Sequence, residues 1–370
     1  MKDLFENWRQ YLSENKSAKP LFQKAKIKPY IDLALFLEGG NVFAGETAGI
    51  PREFIGPTLE EYYKELDRLF PGKSATFLSF RPLGSVGKKD VSGDIDLAGD
   101  VKDFFPTGEM TPENLEGWKV DPVRWEETFQ RFKSRARSRT DAELGWRAFL
   151  YELASYINEE SDLIRTDIKK VGPGIMFSLF PQFNEEGERQ DVGVQIDWMI
   201  GTAEWLEFAY YSDPPSPDDP LLKGLHRTQL MLAMFLVNDI SYHHTSGLKD
   251  RKTKKFITNS PPEVLSILGK LYGGEIERSQ TNNFHSLHQW LKVHSSDEEY
   301  ADVIGAYIKI LDSTKSINIK DPETGEVKAC GYIPRELEDF WIANQEALEL
   351  KGKYICPETN EKIWNHINER

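Results

Sequence analysis

From the amino end, apolar positions recur first at helical and then at strand spacing. Leu4, Phe5, Trp8, Tyr11 and Leu12 share one face of MKDLFENWRQYLSENK amid charges, which predicts a docked amphipathic helix rather than a signal peptide. YIDLALFLEGGNVF carries an apolar run that stops at Gly39-Gly40, a pattern compatible with either a helix or a strand. Thr58 followed by Glu61 forms a capping-box pattern, and Leu59, Tyr62, Tyr63, Leu66, Leu69 and Phe70 recur at helical spacing, predicting a helix over 58–70. Pro71-Gly72 ends it. SATFLSFRPL then has the β-branched and aromatic content of a buried strand running into Gly84-Ser85, and VSGDIDLAG reads as a second, short strand.

Between 111 and 160 the period becomes helical: Asp121-Pro122 is a helix start, Trp125, Phe129 and Phe132 share a face, and ELGWRAFLYELASYI begins another helix. GIMFSLFPQF and DVGVQIDWMI flank the polar turn NEEGER and predict a long antiparallel hairpin. In its second strand Val192, Val194, Ile196, Trp198 and Ile200 alternate with Gly193, Gln195, Asp197 and Met199, which places Asp197 on the less apolar face. SDPPSPDDP, at 212–220, is the best linker, and the pattern beyond it is mostly helical. The expectation is an α+β chain in two units: 1–215, with an N-terminal helical extension and a helical insertion at about 105–160, and a mostly helical 216–370.

Composition narrows the function classes. No apolar run approaches the ~18 residues of a membrane helix, so no membrane partner and a cytoplasmic location are expected. Cys330 and Cys356 stand 26 positions apart without a CxxC pattern, against a disulfide framework or a thiolate zinc site. The net charge of −14 disfavours indiscriminate nucleic-acid binding. Two basic islands interrupt that acidity, RFKSRARSR at 131–139 and KDRKTKK at 249–255; each reads as a solvated face or as a nucleic-acid contact.

The chemistry-bearing run is LGSVGKKDVSGDIDLAGDV. Strand alternation puts Asp94 and Asp96 on one face and turns Ile95 and Leu97 into a core. Hard divalent cations take oxygen ligands, and Mg²⁺ commonly uses a few carboxylates plus substrate phosphates. Ser85 lies nine residues before Asp94, and the Gly84-Ser85 pair lets backbone amides and a small hydroxyl approach a triphosphate. Asp197, on a strand able to neighbour the first, would bring a third carboxylate, enough for two metal ions. GSVGKK lacks the spacing of a P-loop and any hydroxyl after the lysine, which excludes that reading; Lys88 and Lys89 either steer phosphate or face solvent. His243-His244 and His285/His288 have no acidic or thiolate partner at a known metal-site spacing, and Glu38-Gly39-Gly40-Asn41 lines the site or forms a plain turn.

A Gly-Ser pair, a downstream Asp-apolar-Asp and a distal apolar-Asp-apolar strand, here Gly84-Ser85, Asp94-Ile95-Asp96 and Ile196-Asp197-Trp198, together resemble the DNA polymerase β-like nucleotidyltransferase superfamily over about 55–200. The long helical separation before Asp197 departs from that pattern. The layout, with LEGGNVF upstream and a helical unit downstream, is also similar to nucleotidyltransferases of tailed bacteriophages. The resemblance implies a mixed or antiparallel sheet backed by helices, with transfer of a nucleoside monophosphate from an NTP to a hydroxyl. Under it Ser85 and Gly84 serve the triphosphate and Asp94 and Asp96 ligate both Mg²⁺ (or Mn²⁺) ions. Asp197 ligates the nucleophile-side ion and helps deprotonate the acceptor, and Lys223 and Arg227 either contact the triphosphate or lie on a helix surface.

The acceptor favoured is an RNA or oligonucleotide 3′ end, with a protein, a small molecule or another nucleotide as alternatives. A DxD glycosyltransferase would use Asp94 and Asp96 but leave Gly84-Ser85 and Asp197 without a task. A non-catalytic interaction protein on the same fold is the third possibility, and the intact carboxylates count against it.

Overall fold

The computed structural model describes residues 42–43, 45–84, 86–88, 90–136, 139–211, 213, 219, 221–314, 317–320 and 327–368. The expected N-terminal helix, the Gly39-Gly40 run, Ser85, Lys89 and most of the 212–220 linker lie outside them.

A two-residue strand, β1 (Ile50–Pro51), leads into helix α1 (Arg52–Leu69). The helix begins six residues before the expected Thr58 start and runs through Pro57. Thr58 is no cap: its hydroxyl donates to the Phe183 carbonyl at 3.3 Å and accepts the Phe183 N–H at 2.9 Å, fastening the helix to the sheet. The expected strand over SATFLSFRPL is instead a short helix, α2 (Ser74–Leu78), with only Arg81–Pro82 extended as β2. Phe77 and Phe80 are both buried at i and i+3 while Leu78 is 71% exposed, a helical rather than alternating pattern.

β3 (Val91–Ser92) pairs with β1, and β4 (Ile95–Asp100) carries Asp96. Four helices follow: α3 (Val101–Phe104), α4 (Pro112–Glu116), α5 (Pro122–Lys133) and α6 (Asp141–Glu160). Asp121 caps α5 through the Val123 N–H, with Pro122 in the first turn where its missing donor costs nothing. A capping box between Thr140 and Glu143 starts α6. β5 (Arg165–Thr166), β6 (Ile175–Phe183) and β7 (Arg189–Gly201) complete the main sheet, and β6 and β7 form the expected antiparallel hairpin.

Strand order is β2-β4-β7-β6-β5, with β4 and β7 parallel and the other neighbours antiparallel, so the architecture is a mixed sheet backed by helices. Ile95, Leu97, Val194, Ile196 and Trp198 point into one aromatic-rich core with α1 and α6. Trp198 Nε1–H donates to Tyr62 Oη at 2.9 Å, and Tyr62 meets Ser178 Oγ at 3.0 Å, satisfying buried polar atoms inside that core. Gly99 sits where a Cβ would lie 2.8 Å from both Phe80 and Ile200, a close approach only glycine permits.

Beyond the sheet come α7 (Ala203–Ala209) and α8 (Gly224–Leu236), then a small antiparallel sheet of β8 (Ile240–His243), β9 (Gly247–Asp250) and β10 (Phe256–Thr258). The mostly helical sequence pattern had not included this sheet. Helices α9 (Pro261–Tyr272), α10 (Phe284–His294) and α11 (Asp297–Ser313), the pair β11 (Ile317–Lys320) and β12 (Val327–Cys330), and helices α12 (Glu338–Asn344) and α13 (Pro357–Asn368) follow. A second hydrophobic cluster, from Trp205 to Trp364, is built around α8, α10 and α11. No helix among the described residues is long and apolar enough to cross a membrane.

Candidate active site

The sheet brings the carboxylates together through register. β4 and β7 run parallel with Asp96 opposite Asp197 and Ile95 opposite Ile196, so both aspartates project from the face opposite the aromatic core. Asp94 stands just before β4. One carboxylate oxygen from each of Asp94, Asp96 and Asp197 lies within 4.8 Å of the other two.

Burial sets the electrostatics. Asp197 is only 2% exposed. Burial pushes the Asp96 carboxyl well above the usual carboxylate range, and the neighbouring Asp94 charge pushes it the same way. Asp197 is also raised well above that range, by burial first and then by the Asp96 and Asp94 charges, against the opposing hydrogen bonds of Gln195. Three oxygen donors crowded on one face suit a hard divalent cation, which would offset their mutual repulsion.

Gly84 borders this group. It adopts φ +59°, and a Cβ there would lie 3.5 Å from Asp96 Oδ2, while Leu83 N–H donates to the Asp96 carbonyl at 2.9 Å. Its partner in the motif, Ser85, lies outside the described residues. Lys88 Nζ sits 4.9 Å from the centre of the Tyr211 ring, and Tyr211 Oη–H donates to Asp213 at 2.9 Å. Lys223 occupies the N-cap position of α8.

Arg227 departs from both roles expected of it, triphosphate contact or helix surface. It is 1% exposed, donates from Nε to the Thr281 carbonyl at 2.6 Å and from Nη1 to the Ala209 carbonyl at 3.1 Å, and stacks over Phe208. Its guanidinium thus ties down the C-terminal carbonyl of α7. The sequence reading also missed a partner for the histidines at 285 and 288. Glu336 meets His285 Nδ1 at 2.5 Å and His288 Nδ1 at 2.8 Å, and His288 Nε2 meets Tyr300 Oη at 2.8 Å.

Two residues near the carboxylates were not singled out by sequence. Gln195 is fully buried, and its Nε2 donates at 2.9 Å to both oxygens of Asp197. Its Oε1 accepts the Val42 backbone N–H at 3.0 Å, which fixes the amide orientation. The signal was present in the strand alternation, since Gln195 is two positions from Asp197 and shares its face. Tyr210 had no such signal, because it lies just past α7. Burial raises its hydroxyl well above the usual value, with the Asp96 and Asp197 charges adding to the shift. It packs on Leu83, Ala98, Ile175, Met199 and Leu206, an apolar wall on the carboxylate face of the sheet.

Compared with models of known protein families and with curated proteins, the chain matches none.

Proposed function

We propose that this chain is a metal-dependent nucleotidyltransferase similar to the polymerase β-like superfamily, moving a nucleoside monophosphate from an NTP to an acceptor hydroxyl and releasing pyrophosphate. The observation that carries the reading is the in-register pairing of Asp96 with Asp197 beside Asp94, all within 4.8 Å at a ligand atom. Asp94, Asp96 and Asp197 would hold two Mg²⁺ (or Mn²⁺) ions, which when bound neutralise phosphate charge and favour the deprotonated acceptor. Asp197 would help take the acceptor proton. Gly84, with no side chain toward Asp96, leaves room for a phosphate against the backbone. An RNA or oligonucleotide 3′ end is the acceptor class proposed.

Supplying each of four α-labelled NTPs with Mg²⁺ or Mn²⁺ and a lysate tests this directly. Label should enter the RNA fraction. Label confined to protein or metabolites would overturn the acceptor, and no labelled product with any NTP would overturn the activity.

Gln195 should act through Asp197. Gln195→Met keeps the side-chain length but removes the donor that spans both carboxylate oxygens. Outer-shell partners of metal ligands are typically worth 10–100-fold in affinity, so Mn²⁺ binding to the full chain is expected to weaken by about that factor. An unchanged Mn²⁺ titration would show that Asp197 needs no such support.

A further inference from the structure

The two basic islands, about 110 residues apart in a chain of net charge −14, are brought near each other by an ion pair between β9 and the first turn of α6. Lys249 of β9 reaches across to Glu143 of α6 at 2.6 Å, and Glu143 completes the capping box with Thr140, the residue that follows the first island. His243, the last residue of β8, lies at this junction. Its largely buried ring is pushed down to about 4, by burial first and then by Lys249, with Arg139 of the first island and Lys254 of the second acting in the same direction against Glu143.

The acidic groups of this region are engaged. Asp141 pairs with Lys133 at 2.7 Å and Asp239 with Lys252 at 3.0 Å. Asp250 Oδ1 accepts the N–H groups of Lys252 and Thr253 and the Thr253 hydroxyl, closing the β9–β10 turn. Arg135, Lys254 and Lys255 stand exposed outside those ion pairs. Next to Lys255, the Phe256 ring is 57% exposed, an aromatic face beside a run of cations.

This surface adjoins the carboxylate site through consecutive residues. Trp205 Nε1–H donates to the His243 carbonyl at 3.1 Å, and the ring of the next residue, His244, lies 5.3 Å from that of Tyr210. Tyr210 packs against the cluster of Ala98 and Met199, which stand two positions beyond Asp96 and Asp197 on the same face of β4 and β7.

We propose that Arg135 of the first island and Lys254 and Lys255 of the second, with the exposed Phe256 ring, form one composite surface that holds the sugar-phosphate backbone of a single-stranded nucleic acid, delivering its end toward Asp94, Asp96 and Asp197. Clustered cations neutralise phosphates, and an exposed ring beside them stacks a base without sequence preference. An anionic membrane would use the same cations, but one exposed ring at the start of β10 offers it little apolar area to bury. The delivery role rests on the nucleotidyltransferase reading; the binding surface itself does not.

The test is fluorescence anisotropy of the full chain with labelled 20-nucleotide single strands of RNA and of DNA, in parallel with flotation on phosphatidylserine vesicles. Wild-type protein should bind a strand at low salt, and the tighter arm identifies which nucleic acid. The exposed triple variant Arg135→Glu/Lys254→Glu/Lys255→Glu should bind at least ten-fold more weakly. Its slope of log K against log salt should be shallower by about 2, at ~0.7 per lost phosphate contact. Its thermal melt and Mn²⁺ titration should match wild type.

No strand binding by wild type, equal binding by the variant, or binding to vesicles alone would overturn the surface. Asp96→Asn should keep strand binding. If strands bind yet wild type transfers no nucleotide, the surface stands and the enzymatic reading falls; if nucleotide is transferred to an acceptor without strand binding, the reverse holds.

Discussion

Asp94→Ala and Asp96→Ala should each abolish nucleotide transfer while the chain still folds. Metal charge stabilisation is worth several kcal/mol in the transition state, so losing a shared ligand should cost roughly three orders of magnitude in rate. The folded state should not suffer, because the ionised carboxylates oppose it: burial and the Asp94 charge raise Asp96, and burial with both neighbours raises Asp197. A carboxyl raised on folding makes the folded state bind more protons than the unfolded one. The metal-free protein therefore loses stability as pH rises from the ordinary carboxylate range through the raised folded values. Asp96→Asn should raise the metal-free melting temperature, and Mn²⁺ should raise that of wild type but not of Asp96→Asn. Wild-type-like turnover in both alanine variants would sink the assignment, and a melting temperature indifferent to Mn²⁺ would remove the metal.

The same residues explain what could be read from sequence. The period-2 alternation of GDIDL and VQIDWMI specifies which side chains share a face, so Asp96 and Asp197 were assignable to the polar side of two strands before any pairing was known. Their adjacency was not assignable, since the parallel pairing of β4 with β7 spans about a hundred residues of helix and hairpin and is set by the common core under Ile95, Leu97, Ile196 and Trp198. Local misreadings had local causes. Thr58 followed by Glu61 looked like a helix start, yet Thr58 spends its hydroxyl on Phe183. Arg227 was expected either to contact the triphosphate or to lie on a helix surface, yet the carbonyls of Ala209 and Thr281 claim its guanidinium. Long-range hydrogen bonds leave no mark in a one-dimensional pattern.

Lys249→Met should destabilise the fold by about 3 kcal/mol, the lower end for breaking one side of a buried ion pair. The lower end applies because the Lys249 and Glu143 side chains keep 10% and 18% exposure. Burial alone would raise the Glu143 carboxyl, but the Lys249 hydrogen bond and the Thr140 donors outweigh it and hold the group below its usual value. A carboxyl lowered on folding contributes stability above its unfolded pKa and loses it as pH falls through the folded one, so the cost of Lys249→Met should shrink in acid. Glu143→Gln is the less clean variant, since Glu143 also completes the capping box of α6. Urea melts of Lys249→Met and of Lys249→Met/Glu143→Leu decide the matter: the single variant should lose the stated stability and the double should recover the part due to the stranded charge. A single-variant loss below ~1 kcal/mol would place the pair with ordinary surface salt bridges. The pair would then not hold β9 against α6, and the two basic islands would depend on the remaining contacts around His243 to stay side by side.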